Sequence, residues 1–444
     1  YKAQSRKVTL KRGKTLEENF ELEEDLIALD GVVVTANRSE TTRRMAPTLV
    51  NVMDFKLFEN TNSATLSQGL NFQPGVRVET NCQNCGFQQV RINGLDGPYT
   101  QILIDSRPIF SALAGVYGLE QIPANMIERV EVMRGGGSAL FGSSAIAGTI
   151  NIITKEPLRN SGQLSHTITG FSGGNSFDNN TSLNLSLVTD DHRAGVYIFG
   201  QNRHRSGYDY DGDGFTELPK LKNQTVGFRS YFKTSTYSKL TFEYHHLQEF
   251  RRGGDMLNRP PHEANIAEQL EHAIDGGSLK FDYFSPNEKH RFSVFTSAAN
   301  TDRDSYYGGG QDPNAYGKTT DFTVMGGTQY MYSFGRCLFM PADLTAGLEY
   351  NRDHLEDNMW GYNRHTEQTV NIYSGFLQNE WKNEKWGILL GGRLDKHNMV
   401  DHVIFSPRAN LRFNPTKDVN FRLSYASGFR APQAFDEDMH IENV

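Results

Sequence analysis

From Pro157 onward the chain alternates with a period of two. Leu240, Phe242 and Tyr244 fall on one side, with Thr241, Glu243 and His245 on the other. Leu279, Phe281 and Tyr283 oppose Lys280 and Asp282, and Phe421, Leu423 and Tyr425 interleave with Arg422 and Ser424. Successive side chains of a strand point to opposite faces, so this spacing predicts strands with one aromatic-rich apolar face and one polar face. A soluble antiparallel sandwich satisfies the pattern. So does a transmembrane barrel, whose outer face meets lipid and whose inner face meets water. No run of roughly 18 apolar residues marks a membrane helix, and lipid otherwise admits only closed sheets. With 42 glycines, 11% aromatic and 37% hydrophobic residues, the chain is rich in turn-formers and rings and poor in aliphatics, which suits the barrel.

The connections are unequal. Tyr237–Lys239, Ser285–Glu288 and Asn414–Lys417 are tight, whereas 203–222, 249–277, 301–319 and 353–368 read as long polar loops. Short turns on one rim and long loops on the other match an outer-membrane barrel with the long side outward. A spanning strand takes about 9–11 residues and a large plugged transporter has about 22 strands. The residues after Pro157 therefore correspond to roughly the first half of such a barrel.

Ahead of Pro157 the pattern is mixed α/β. Ser63–Leu70 predicts a short helix with a serine cap, ended by Pro74-Gly75. Val76–Val78, Gln89–Asn93 and Gln101–Asp105 predict strands, and 119–128 predicts a helix opened by Pro123. Ile127–Arg134, then Gly135–Ser144, then Ala145–Thr154 read as strand, glycine turn and strand. Gly137 to Ser144 imitates a phosphate-binding loop, but Ser143 stands where that motif needs lysine, so close packing of backbone explains its glycines better.

These residues together resemble the plug of a TonB-dependent outer-membrane receptor. The closest correspondence lies in Arg91-Ile-Asn-Gly94, in Asp105-Ser-Arg-Pro108, where Ser106 replaces the usual glycine, and in Ile127–Thr154. The resemblance implies an α+β plug followed by an antiparallel transmembrane β-barrel, arranged as a plug over 37–157 and a truncated barrel over 158–444. Residues 1–28 resemble the end of a small β-sandwich module; a disordered acidic linker fits them equally. Leu29, Asp30, Val32, Val33, Val34, Thr35 and Ala36 resemble the TonB box, an extended β-branched segment able to pair by its edge with an energy transducer, although any strand looks similar. Arg91, Glu128, Arg129, Glu131 and Arg134 are expected to lock the plug to polar groups of the barrel wall, since buried charges must be paired.

Cys82, Cys85 and Tyr99 are expected at the ligand-facing apex. The C-x-x-C pair suggests a local disulfide, with soft-metal binding as the alternative; it is half of a four-thiolate zinc site, and Cys337 is the remaining cysteine. Asp209, Asp211 and Asp213, followed by Gly214 and Glu217, have the spacing by which carboxylates and a sharp glycine turn wrap calcium, with Lys220 departing from the full motif. A solvated acidic turn is the alternative. This loop is similar to the calcium loops of cobalamin receptors. Phe429, Arg430, Ala431 and Pro432, with His440 downstream, resemble a box of haem receptors, which loop histidines could complement.

No nucleophile, base and orienting partner can be assembled by spacing, His262-Glu lacks the second histidine of a zinc protease, and no organic cofactor is implied. A net charge of −7 without a basic stripe argues against nucleic acid. The resemblance implies import of a scarce metal chelate, haem, iron-siderophore or cobalamin, with the TonB complex and outer-membrane lipid as partners and room for a surface lipoprotein. A non-transporting β-rich surface binding protein or adhesin is the rival.

Overall fold

A computed structural model describes residues 32–82, 86–108, 119–171, 176–416 and 418–430. The first unit contains nine short strands: β1 (Val32–Val33), β2 (Thr41–Thr42), β3 (Val50–Asp54), β4 (Val76–Cys82), β5 (Phe87–Ile92), β6 (Thr100–Ile104), β7 (Arg107–Pro108), β8 (Ile127–Arg134) and β9 (Gly148–Thr154). Strands β3-β8-β9-β6-β7 form one sheet, while β4-β5 and β1-β2 form separate pairs. Val130, Val132, Ile150 and Ile152 bury one face of this sheet with Phe58, Leu66 and Leu70 from helices α1 (Phe55–Asn60) and α2 (Leu66–Leu70).

Two sequence expectations change in this unit. The helix near 63 begins at Leu66 behind Thr65, so Ser63 is not its cap. Of the helix expected over 119–128, the described residues keep only 119–121 helical. Pro123 instead leads into a single 3-10 turn, Ala124–Met126, and β8 begins at Ile127 because Ile127, Val130 and Val132 are drawn into the sheet core. Within the glycine segment a one-turn helix, α3 (Ser138–Phe141), precedes Gly142.

The second unit is a single antiparallel sheet of 13 strands, each paired with its neighbour in sequence. They are β10 (Ser161–Gly170), β11 (Phe177–Val188), β12 (Ala194–Arg205), β13 (Lys220–Ser235), β14 (Ser238–Gly254), β15 (Ile266–Phe284), β16 (His290–Gly309), β17 (Tyr316–Cys337), β18 (Met340–Met359), β19 (Arg364–Lys382), β20 (Trp386–His397), β21 (Ile404–Phe413) and β22 (Phe421–Ala426). The sheet is inside out relative to a soluble protein. On β14, Phe242 is 44% exposed while its neighbour Thr241 is 3% exposed. Arg203, Arg251, Arg303 and Arg412 are among the largest fully buried side chains and lie on the face that encloses the plug, whereas Leu348, Leu377, Leu390 and Leu423 lie on the outside. Stacked pairs Phe339–Trp381 and Trp386–Phe413 lie near the short-turn rim, where aromatic rings suit a membrane interface. No helix among the described residues is long and apolar enough to cross a membrane.

The long loops expected at 249–277, 301–319 and 353–368 are mostly strand. Strands β15 to β19 run 19, 20, 22, 20 and 19 residues, about twice what a bilayer requires. Above the lipid both faces of a strand meet water, so polar composition on both sides does not end the backbone ladder. The connection 206–219 does remain a loop.

Candidate functional site

The site is the interface between plug and wall, and the segment that enters it first is the one expected to couple energy. Of its described residues, Val32 and Val33 are extended, pairing with Thr42 and Thr41. Beyond them the backbone turns inward, and Val33, Thr35 and Ala36 are fully buried. This corrects the expectation of an edge presented along the whole segment. Leu29 and Asp30 lie outside the described residues. Glu131 Oε2, itself fully buried on β8, accepts from Val34 N (2.9 Å), Thr35 N (2.9 Å) and Thr35 Oγ1 (2.7 Å). Asn151 Nδ2 donates to Thr35 Oγ1 (3.0 Å).

The next residues cross to the wall. Arg408 Nη2 on β21 donates to Ala36 O (2.7 Å) and Thr48 Oγ1 (2.6 Å). Asn37 Nδ2 donates to Glu380 Oε2 on β19 (2.8 Å), and Gln378 Nε2 returns a bond to Asn37 O (2.9 Å). Arg38 pairs with Glu349 on β18 and sits over the rings of Phe376 and Phe141. Arg393 on β20 shares Glu349 (2.7 Å) and donates to Leu140 O (3.2 Å). A Cβ on Gly142 would come within 3.2 Å of the Arg393 guanidinium, and its φ of +80° favours glycine, so the glycine segment is indeed a close backbone approach. Residues 34–38 thus tie plug and wall together.

Among the described residues, the charges expected to face the wall find partners within the plug instead. Arg91 pairs with Glu79 and Asp96, Arg129 with Glu131 (2.9 Å), and Arg134 donates to Pro74 O, all within the plug. Glu128 is exposed and borders a cavity. Their polar bonds are local because each lies within reach of a partner on an adjoining plug strand or turn. Plug–wall charge pairs form through residues that the sequence reading left unassigned. Asp105, in the turn between β6 and β7, pairs with Arg229 on β13, which also reaches Thr154, Glu156 and Glu243. Burial pushes the Asp105 carboxyl up, but Arg229 and Arg107 outweigh it and hold it at about 2. Glu120 receives Arg251 (2.8 Å), Arg205 (3.3 Å) and Arg203 (3.4 Å); burial again raises its carboxyl, and the three guanidiniums hold it at about 2.

Asp105 and Ser106 have φ of 48° and 66°, the paired left-handed geometry of a tight hairpin turn. Ser106 stands in the place of glycine because Asn151 holds it, accepting from Ser106 N (2.8 Å) and donating to Ser106 Oγ (3.0 Å).

Toward the long-loop side, Tyr99 lies beneath the Arg430 guanidinium at 5.5 Å, and Ser144 N donates to Phe429 O (3.0 Å). Ala431, Pro432, His440, Cys85 and the side chain of Cys82 lie outside the described residues. Arg251 Nη1 donates to Gly86 O (2.9 Å), and a Cβ at Gly86 would meet Pro219, which puts this plug turn against the base of loop 206–219. In that loop, ligand oxygens of Asp209, Asp211, Asp213 and Glu217 lie within 4.8 Å of one another. Asp209 accepts from Gly212 N (2.7 Å) and Gly214 N (2.9 Å) and Asp213 from Phe215 N (2.8 Å), so backbone amides curl the loop around its own carboxylates.

At the short-turn end a cavity of about 460 Å³ separates the plug from β13–β17, bordered by Val34 and Arg38 as well as by Asp105 and Arg229.

Residues 42–149 match the TonB-dependent receptor plug domain, and 149–439 match the TonB-dependent receptor-like β-barrel. Over 125 residues, 28% of this chain and 20% of the relative, the sequence is 38% identical to the vitamin B12 transporter BtuB of Vibrio vulnificus strain CMCP6. The fold is similar to the siderophore receptor PirA from Acinetobacter baumannii, with a TM-score of 0.74 at 18% identity, covering 88% of this chain and 62% of that one. It is also similar to a mutant of the ferric enterobactin receptor PfeA from Pseudomonas aeruginosa, with a TM-score of 0.75 at 20% identity, covering 90% and 64%. The chain spans under two-thirds of the length of these solved receptors.

Proposed function

The chain belongs to the TonB-dependent receptors of the outer membrane, and from that premise we propose that it imports a scarce metal chelate by energised displacement of its plug. The observation that carries this reading is the double anchorage of residues 34–38: Glu131 holds them to the plug, and Glu380, Glu349 and Arg408 hold them to the wall. Force applied by the TonB complex to the residues before Val34 meets this junction first. Outward movement frees a segment for edge pairing and weakens the plug's tie to β18–β21, where Arg393 to Leu140 O and Arg408 to Thr48 remain. Ligand capture must favour the released state, since equal affinity for both states shifts nothing.

Cobalamin is the preferred cargo. The partial likeness to a vitamin B12 transporter and the acidic loop both support it. The four carboxylates suit a hard, oxygen-preferring cation such as calcium, which would neutralise them and order loop 206–219 over Gly86 of the plug. Haem is the second reading, supported by the placement of Phe429 and Arg430 on Tyr99 and Ser144. A surface lipoprotein covering the long-loop side is compatible with either.

The test is energised uptake by cells making the full-length receptor, with cyanocobalamin and haemin in separate arms, with and without calcium. Accumulation of cyanocobalamin that needs calcium and is lost on deleting Val32–Ala36 is expected. Surface binding of both probes without accumulation favours the non-transporting binding protein. Calcium should raise the melting temperature of the parent and not of Asp213→Asn.

A further inference from the structure

On the long-loop side a single plug carboxylate is gripped by three guanidiniums of the wall. Residues 119–121 are helical, and Glu120 is buried with both of its oxygens engaged. Oε1 accepts from Arg203 Nη1 (3.4 Å) and Arg205 Nη1 (3.3 Å) on β12, and Oε2 pairs with Arg251 Nη2 (2.8 Å) on β14. The three arginines are buried as well. Arg205 Nε also donates to Pro219 O (3.0 Å) and Arg251 Nη1 to Gly86 O (2.9 Å), so the cradle lies at the base of loop 206–219, on the side from which cargo arrives.

The wall does not balance these guanidiniums by itself. Arg203 is matched by Asp178, with Nη2 at 2.6 Å and Nε at 3.0 and 3.1 Å, and Arg251 by Glu249 at 3.4 Å. Arg303 on β16 is matched separately by Asp357 at 3.4 Å. Among the described residues, the carboxylate that pairs with Arg205 is Glu120. Arg203, Arg205 and Arg251 thus have Asp178 and Glu249 from the wall, and the third carboxylate comes from the plug. Removing one partner of a buried charge pair is costly, and guanidinium forks match the geometry of a carboxylate or phosphate.

We infer that Arg203, Arg205 and Arg251 form a binding site for a singly charged oxyanion of the cargo, held in the closed receptor by Glu120 as an internal stand-in. The inference rests on the import reading and deepens it. A plug that moves away from β12–β14 takes Glu120 with it and leaves the wall one anion short. A cargo oxyanion that fills the vacancy makes a contact available only in the displaced state, which is what a ligand must do to favour that state. Both cargo readings offer such a group, the phosphodiester of cobalamin and a propionate of haem.

The test uses the purified full-length receptor and needs no uptake, so its outcome is separable from that of the import reading. Glu120→Ala should speed protease cutting within the plug. Dimethyl phosphate or acetate, at ten times its half-effective concentration and constant ionic strength, should slow that cutting about tenfold. Neutral trimethyl phosphate should not, and the parent should respond to none of the three. Adding Arg205→Gln to Glu120→Ala restores the balance of two guanidiniums and two carboxylates, so the double variant should be cut more slowly than Glu120→Ala and ignore both anions. Where Glu120→Ala folds poorly, its refolded yield in the same additives replaces the cutting rate. A response to dimethyl phosphate alone identifies a phosphodiester site, and one to acetate alone a carboxylate site. No response to either anion, or a response that survives Arg205→Gln, overturns the inference.

Discussion

Along β18–β21 the plug meets the wall through side chains in direct contact, with Asn37 bonded to Glu380, Arg38 to Glu349, and both Ala36 and Thr48 to Arg408. Along β13–β17, at the same end of the molecule, it meets the wall across a cavity of about 460 Å³ bridged chiefly by Arg229. The first seam distributes its hold over several partners, and losing one leaves the others. The second concentrates its hold in a single guanidinium shared by three carboxylates. On the proposed import reading, a plug that stays shut at rest and yields on one side is well served by this asymmetry: the many-bonded seam includes residues 34–38, and the few-bonded seam includes the space.

Arg229→Gln tests the concentrated seam most severely. It leaves Asp105 and Glu243 without the cation they share, Glu156 alone keeping Lys239 at 3.1 Å, and breaking a buried network of this kind costs about 3–5 kcal/mol. Protease cutting within the plug of the intact receptor should rise sharply. Arg38→Gln should do much less, because Arg393 continues to pair with Glu349 at 2.7 Å. Equal damage from both substitutions would break the comparison.

Glu131→Ala comes next. It removes the acceptor shared by Val34, Thr35 and Arg129, a loss of about 3 kcal/mol for bonds to a charged group. The tether should then become accessible, read as thiol labelling of Val34→Cys in cells lacking the energy transducer. Unchanged labelling would show that the wall contacts alone hold the segment.

Acid sharpens the contrast further. The carboxyls of Asp105 and Glu120 are held at about 2 in the folded protein, against ordinary values of 3.8 and 4.5. A depressed folded value stabilises above the unfolded value and loses that stabilisation as pH falls through the folded one. Plug seating should therefore be flat from neutral pH down to about 5 and weaken between about 4 and 2, by on the order of 2 kcal/mol for Asp105. Thiol labelling of Ser293→Cys, on the cavity lining, reports the loss. Weakening already at pH 6 would place the controlling group elsewhere.

The smallest effect is expected from Tyr99→Leu. It removes the ring beneath Arg430 and costs about 0.5–1 kcal/mol at a partly exposed position. The change should loosen Phe429–Arg430 without altering tether accessibility, as compared by hydrogen exchange.

What could be read in advance follows the range of the interaction. Val130, Val132, Ile150 and Ile152 declare the two central plug strands by spacing, and Phe242, Tyr244, Leu279 and Tyr283 declare the lipid face in the same way. The lengths of β15–β19 could not be read, since alternation fades once both faces are wet while the backbone ladder continues. The polar lock was misplaced for a different reason. Arg91, Arg129 and Arg134 are noticeable in a motif, but their partners are local, whereas the bond from Asn37 to Glu380 joins residues 343 positions apart. Asp105 was visible as a motif residue, but nothing in the chain points to Arg229 as its partner.

The order of amino acids alone determined that this chain forms a small α+β unit followed by strands with a lipid face and a water face, because both patterns depend on the period of neighbouring side chains. Tertiary structure decided which charges hold the plug, where the tether is clamped and which seam contains space. Those properties arise only when residues hundreds of positions apart meet in a lumen from which bulk water is excluded and each buried charge must find its partner.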